Sequence, residues 1–352
     1  MACSLSAKPS GGDPGDQRLS DPPEDKTDQA FRPAWWLPGR HAQTVFPALF
    51  RAPPPVRLER ERLELPDGDF LELAWGPPGR GLVLVGHGLG GDETSGYALG
   101  VVAALGRRGI GSAVLISRGA GSHPNRLRRS YHAAAWDDLN HVVETLQRRD
   151  PARPMAVCGF SLSGSMLLSW LGERGDTPLA TAVAVSVPFD LAASADALER
   201  GFARVYQWHL MRGLRRVTLR KFAARDDAPL PLAELHRMRR LREFDERITA
   251  PLHGFRDSAD YYTRASCRPR LGAIRQPTLI LHAADDPFVP ATSVPATREL
   301  GPGIRLELQA NGGHVGFVAG DVPGRPRYWL DTRIADHIIT HLEAALNTGA
   351  GR

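Results

Sequence analysis

Cysteine is scarce. Only Cys3, Cys158 and Cys267 occur among 352 residues. They form no Cys-x-x-Cys pair, which argues against a structural zinc site, and they are too few for a disulfide framework. A reducing compartment suits such a chain. Long apolar runs are missing too. No stretch of the roughly 18 apolar residues needed to cross a bilayer occurs. Residues 1–30 lack the apolar run of roughly 7–15 residues that a signal peptide requires. That stretch is instead rich in Gly, Pro, Ser and Asp, which predicts a disordered tail and makes the cytoplasm the default location. Glycine (36) and proline (29) stay below the share seen in low-complexity chains. Internal repeats are absent.

Charge of one sign is only mildly in excess, at +5. The basic residues gather between Arg200 and Arg247, mostly as arginine. This suits a solvated helical surface, or a surface that attracts anionic substrates, lipid head groups or nucleic acid. No nucleic-acid-binding motif supports the last of these.

Short apolar runs that end in turn residues are plentiful. Gly81–Val85, Ser112–Ile116, Met155–Cys158, Ala182–Val187, Thr278–Leu281 and Ile304–Leu308 all have this form. Continuous apolar runs of this length suit strands buried on both faces. Helical spacing lies between them, at Tyr97–Arg108, Trp136–Arg149, Leu162–Glu173 and Thr332–Ala345. Such alternation predicts a mostly parallel sheet with helices on both faces. Val56–Leu65 and Phe70–Trp75 flank Pro66-Asp67-Gly68 and read as an antiparallel hairpin at the sheet edge. From about 191 to 262 the alternation stops and helical periodicity takes over. That stretch reads as a helical cap inserted at the carboxyl ends of the strands, within a domain spanning 31–350.

The chemistry-bearing motifs sit where strands end. Gly159-Phe160-Ser161-Leu162-Ser163-Gly164 follows one strand and precedes a helix. A sharp strand-to-helix turn there lifts a serine hydroxyl above the sheet, and small flanking residues let the two backbones approach. The Leu162 N–H, at the helix start, is placed to stabilise an oxyanion. Ser163 stands where the Gly-x-Ser-x-Gly pattern has its last glycine. A helix-capping role for Ser161 is the plain alternative.

Gly86-His87-Gly88-Leu89-Gly90-Gly91 follows the first buried strand. In an esterase this turn supplies a second oxyanion N–H, here that of Leu89. The same residues match the Gly-x-Gly-x-x-Gly dinucleotide pattern, with Arg118 at the end of the next strand to meet a 2′-phosphate. A structural glycine turn is the third reading. Asp285-Asp286 follows a later strand, and His314 follows the last one. A serine hydroxyl is barely acidic, so it needs a base in reach and a carboxylate to orient that base. Ser161, Asp286 and His314 occur in the chain order this arrangement uses. Asp285 competes with Asp286, which the Asp-Pro-x-x-Pro turn carries just past the strand.

With these motifs the chain resembles the α/β-hydrolase superfamily and, within it, the YheT-type hydrolases and the related mammalian ABHD1 and ABHD3 group. The resemblance runs from about Phe31 to the C-terminal helix. It includes Trp35–Thr44 with its His-x-Gln-Thr, Arg118-Gly119, Pro124-Asn125-Arg126 and Tyr131-His132. Before the acid-bearing strand it includes Phe244-Asp245, Gly254-Phe255, Asp260-Tyr261-Tyr262 and Ser266. It implies an eight-stranded sheet with a helical cap, and a serine hydrolase with Ser161, Asp286 and His314 as charge-relay residues. It also implies carboxylic ester substrates, including acylglycerols or other lipids, and no metal or organic cofactor. The ABHD-type relatives carry an N-terminal membrane anchor that residues 1–30 do not match, so membrane residence is not carried over. Tyr261 and Tyr262 are expected to pack and hydrogen-bond, His132 and Asp137 to hold the second loop, and Cys158 to fill the core. Three alternatives remain open: an acyltransferase using the same residues, an NADP-dependent reductase and a non-catalytic binding module.

Overall fold

The computed structural model describes residues 30–349. The tail expected over 1–30 therefore lies outside the described residues except for Ala30. Eight strands form one sheet: β1 (Glu59–Glu64), β2 (Phe70–Trp75), β3 (Arg80–Gly86), β4 (Ile110–Ile116), β5 (Met155–Phe160), β6 (Leu179–Val185), β7 (Thr278–Ala283) and β8 (Ile304–Gln309). Their order is β1-β2-β4-β3-β5-β6-β7-β8. From β4 to β8 every pairing is parallel. The β1–β2 hairpin turns at Gly68, whose φ is 82°, and joins β4 antiparallel. This is the mostly parallel sheet expected from the sequence. It crosses over once, at β3 and β4, and places the carboxyl ends of β3, β5, β6, β7 and β8 along one edge.

Both faces of the sheet are covered. Side chains alternate along a strand, so Leu82 and Leu84 of β3 face one layer while Val83 and Val85 face the other. The first layer contains α3 (Trp136–Arg149) and α4 (Leu162–Arg174), packed through Leu139, Val142, Leu167 and Leu171. The second contains α2 (Gly96–Gly106) and the C-terminal α11 (Trp329–Gly349), packed through Val101, Leu105, Ile334 and Ile338. Double coverage explains why these strands read as unbroken apolar runs.

One helix the sequence reading did not identify is α1 (Gly39–Phe50). It contains Pro47 and lacks an N-cap side chain, so the usual start signal is missing. Between β6 and β7 the chain forms helices joined by loops, with no strand among the described residues. It contains α5 (Leu191–Leu198), α6 (Ala203–Phe222), the single turns α7 (Leu232–Leu235) and α8 (Leu241–Phe244), a π-helical turn at Asp245–Thr249, α9 (Ala250–His253) and α10 (Ser258–Ala265). Helical geometry continues past 262, through a 3-10 stretch at Arg268–Ala273. This insertion has its own small core, around Met211, Leu214, Leu235, Met238 and Phe244. A two-residue ribbon, β9 (Val318–Ala319) with β10 (Arg327–Tyr328), follows the histidine loop. Among the described residues no helix is long and apolar enough to cross a membrane.

Candidate active site

The turn after β5 is tight because the residues on both sides are small. A Cβ on Gly159 would lie 2.5 Å from the Ser163 carbonyl oxygen and 2.8 Å from the Gly164 nitrogen. Only glycine tolerates that approach. Ser161 is forced to φ 50° and ψ −113°, a backbone state that costs a non-glycine residue on the order of 1–3 kcal/mol. It is pinned on both sides: its N–H donates to the Val185 carbonyl at 2.8 Å, and its carbonyl accepts from the Ser165 N–H at 3.0 Å.

The Ser161 hydroxyl then lies 3.0 Å from His314 Nε2. His314 Nδ1 lies 2.9 Å from Asp286 Oδ2. The other Asp286 oxygen, Oδ1, accepts the backbone N–H groups of Phe288 (2.8 Å) and Val289 (3.3 Å). The carboxylate is therefore buried but fully hydrogen-bonded, the condition under which burial of a charge is tolerated. Asp285 points elsewhere, with Oδ1 accepting the Gly313 N–H at 2.9 Å, and burial raises its pKa. The structure thus brings Ser161, His314 and Asp286 together and leaves Asp285 to hold the histidine loop.

Three residues support His314 in ways the sequence did not assign, although Thr44 lies in the His-x-Gln-Thr motif. Phe288 stacks flat on the His314 imidazole, with centroids 4.0 Å apart and planes 1° from parallel. Thr44 Oγ1 accepts the His314 N–H at 2.9 Å, and Ser186 Oγ accepts the Val315 N–H at 3.0 Å. Each is remote from His314 in the chain, so no local pattern could have shown it. The position of Phe288 two residues after Asp286 was the other available signal.

The glycine turn after β3 lies against the same serine, and a Cβ on Gly88 would be 3.2 Å from Ser161 Cβ. Most of its amides are already used. Gly88 N–H donates to the Tyr97 hydroxyl (3.0 Å), Gly90 N–H to the Tyr131 hydroxyl (2.8 Å) and Gly91 N–H to the Gly88 carbonyl (3.1 Å). The N–H groups of Leu89 and Leu162 have no protein acceptor among the described residues. Both residues line the cavity together with Ser161. Ser163 fits because Gly86 faces it, and its hydroxyl donates to the His87 carbonyl. That bond ties the start of α4 to the turn carrying Leu89. His87 itself is buried, with Nδ1 2.9 Å from the Gly88 carbonyl oxygen and Nε2 accepting the Ser117 N–H at 3.2 Å. Burial lowers its pKa, so it stays neutral.

Arg118 cannot meet a 2′-phosphate, since its guanidinium is occupied. It is 2.7 Å from both Asp138 oxygens, 3.0 Å from Asp69 and 2.7 Å from Asp67. This buried cluster holds the second loop instead, with Asp69 also accepting the Arg126 N–H at 2.7 Å. His132 Nδ1 accepts the Ala134 N–H at 3.2 Å, and Asp137 pairs with Arg129 at 3.2 Å. The Tyr261 hydroxyl accepts the Ala133 N–H at 3.1 Å, and the Tyr262 hydroxyl donates to Asp245 at 2.8 Å. Cys158 is wholly buried, and burial pushes its thiol pKa up, as expected for an inert core residue.

A cavity of about 790 Å³ opens over Ser161, within the range of small-molecule sites. Its walls come mainly from the insertion and are largely apolar, with Leu191, Leu198, Leu210, Leu214 and Leu252 among them. The C-terminal half of α1 closes one side. Buried ionisable groups interrupt the apolar wall, Asp245 and Lys221 among them. Asp245 also accepts from the Thr249 hydroxyl at 2.7 Å, and burial pushes its pKa up to about 6. Lys221 donates to the Asn125 side chain and the Arg129 carbonyl, and burial pulls its pKa down to about 7.

Residues 77–315 match the family described as serine aminopeptidase, S33. The chain is similar to YheT of Escherichia coli (strain K12), provisionally named an esterase, with 43% identity over 311 residues, 86% of this chain and 91% of that protein. It is similar to phospholipase ABHD3 of Mus musculus, with 29% identity over 312 residues, 85% of this chain and 76% of that protein. In fold it is similar to the Pyrococcus furiosus esterase Pf2001, with TM-score 0.52, 16% identity, and coverage of 81% of this chain and 92% of that one.

Proposed function

The chain belongs to the α/β-hydrolases of the S33 serine aminopeptidase family, with YheT and ABHD3 among its relatives, and from that premise we propose that it hydrolyses carboxylic esters through an acyl-enzyme on Ser161. The observation that carries this reading is the unbroken chain from Ser161 Oγ to His314 to Asp286, at 3.0 and 2.9 Å, at the floor of an apolar cavity. His314 takes the Ser161 proton as the hydroxyl oxygen attacks the ester carbonyl. The Leu89 and Leu162 N–H groups receive the oxyanion of the tetrahedral intermediate. As the C–O bond breaks, His314 gives its proton to the leaving alcohol. It then takes a proton from water, whose oxygen attacks the acyl-enzyme, and returns that proton to Ser161 as the acid departs. Asp286 stays ionised throughout and holds the imidazole tautomer.

The cavity walls favour an ester with an apolar acyl chain, which fits the lipid esters suggested by the names of the relatives. A fluorophosphonate probe with peptide mapping tests the nucleophile. A single adduct on Ser161 is expected, lost in Ser161→Ala and His314→Ala. Each substitution is expected to lower kcat on the order of 10⁴-fold or more, and the double variant little further, because the two residues act as a unit. A folded protein that takes up no probe, or single losses that multiply in the double variant, overturns the reading.

A further inference from the structure

Eight large apolar side chains are conspicuously exposed among the described residues, and five of them flank the cavity: Leu49, Phe50, Phe202, Val205 and Trp208. Leu49 and Phe50 end α1, Phe202 is the residue before α6, and Val205 and Trp208 lie in its first two turns. Leu49, Val205 and Trp208 also line the cavity, so the patch is its mouth. The two sides are tied together at His41. Its ring centroid is 4.6 Å from that of Phe202, and its Nδ1 is 2.9 Å from the Tyr206 hydroxyl. Phe50 continues the patch through Phe46 to Trp36, with ring centroids 5.3 and 5.2 Å apart. Monomeric proteins rarely leave contiguous apolar surface of this kind uncovered without a use for it.

The two helices that form the mouth carry charge of one sign. Neither α1 nor α6 contains an aspartate or a glutamate. Arg40 is exposed at the start of α1. Arg200, Arg204, Arg212 and Arg216 are exposed beside or along α6. Arg204, Trp208, Arg212 and Arg216 recur every four residues and so share one helix face, and the Arg212 guanidinium lies 5.9 Å from the Trp208 ring centroid. Aromatic and aliphatic side chains bordered by arginines on an amphipathic helix are what an anionic bilayer surface selects.

We propose that this protein docks peripherally on anionic lipid surfaces, with the α1–α6 mouth facing the bilayer. The apolar side chains enter the boundary between head groups and acyl chains, and the arginines meet the lipid phosphates. An amphiphile leaving the membrane then passes into the cavity without crossing water. The docking surface is independent of the proposed ester hydrolysis, while the delivery of substrate rests on it.

The test uses the full chain carrying Ser161→Ala, so that lipid is not consumed, and sedimentation with vesicles. One set is phosphatidylcholine with phosphatidylglycerol, the other phosphatidylcholine alone. Partition onto the anionic vesicles is expected, falling at high salt, with much weaker partition onto the neutral ones. Arg204→Gln with Arg212→Gln is expected to weaken anionic binding about 25-fold, from about fivefold per arginine near such a surface. Phe50→Ser with Phe202→Ser is expected to weaken it about tenfold or more. The arginines are exposed, so that pair is expected to keep its Tm. Phe50 and Phe202 are 68% and 51% exposed but touch Phe46 and His41, so that pair is expected to stay folded with a small fall in Tm. No partition, equal partition onto both vesicle types, or full binding by both variants overturns the proposal. So does a dimer that Phe50→Ser with Phe202→Ser dissolves while vesicles capture nothing, which would make a second copy the occupant. A parent protein that hydrolyses no ester, while its Ser161→Ala form still binds anionic vesicles, would strike the proposed reaction and leave the docking intact.

Discussion

A buried carboxyl group bonded to hydroxyls, with the Arg242 guanidinium only nearby over the Tyr262 ring, carries a pH signature. Asp245 is held by the Tyr262 and Thr249 hydroxyls, and burial raises its pKa from 3.8 to about 6. Below pH 3.8 both folded and unfolded chains hold the proton, and this residue exerts no penalty. Between about 3.8 and 6 the unfolded chain releases its proton first, so stability falls as pH rises, and above about 6 the loss is complete. The full effect is about 3 kcal/mol. In Asp245→Asn the amide oxygen still accepts a hydroxyl proton and nothing titrates. The expected outcome is a variant whose Tm changes less between pH 4 and pH 6 than that of the parent, measured by calorimetry across that range. The sequence presented Asp245 only as part of a family pattern. Its burial, and hence its shifted titration, depends on helices of the insertion packing around it.

At the scale of the element, β5, the turn and α4 form one device. Gly159 lets the strand and helix backbones touch, Ser161 takes the strained conformation, and Ser163 bonds back to the carbonyl of His87. Gly159→Ala would drive a Cβ into backbone atoms at 2.5–2.8 Å. We expect a loss of about 3 kcal/mol or more in stability by denaturant titration, consistent with overpacking of a rigid site. Any folded fraction should label poorly with fluorophosphonate, because the serine no longer sits over the sheet edge. This device was legible, since small residues around a serine between a strand pattern and a helix pattern have a local mechanical meaning. The alternatives were not separable from sequence. The glycine turn matches a dinucleotide pattern, and only the fold shows Arg118 bound to three aspartates.

At the scale of the molecule, the N-terminal segment and the histidine loop support each other across some 270 residues. Gln43 is fully buried. Its side-chain amide donates to the Leu37 and Val318 carbonyls at 3.2 and 3.1 Å, and its oxygen accepts the Val318 N–H at 2.7 Å. The neighbouring Thr44 holds the backbone of His314. Gln43→Ala would leave several buried polar groups without partners. A loss on the order of 3 kcal/mol is expected from thermal unfolding. A lower kcat on ester substrates should accompany it, because His314 loses its support. A Tm within a degree or so of the parent would show that α1 is not a structural clamp.

Local pattern determined much of this protein. Apolar runs marked the strands because a doubly covered sheet leaves no polar face to encode, and the placement of Ser161, Asp286 and His314 after separate strands followed from that alternation. Tertiary structure decided the rest. The turn after β7 already favoured Asp286 over Asp285 in sequence; the folded chain supplied the aim, with Oδ1 held by two backbone amides and Oδ2 2.9 Å from His314 Nδ1. It set Thr44, Ser186 and Phe288 around the histidine, and it built the cavity by bringing α1 to α6. Those outcomes come from contacts between segments far apart in the chain. Hydrogen-bond direction and side-chain packing across such distances leave no periodicity in the sequence from which they could be read.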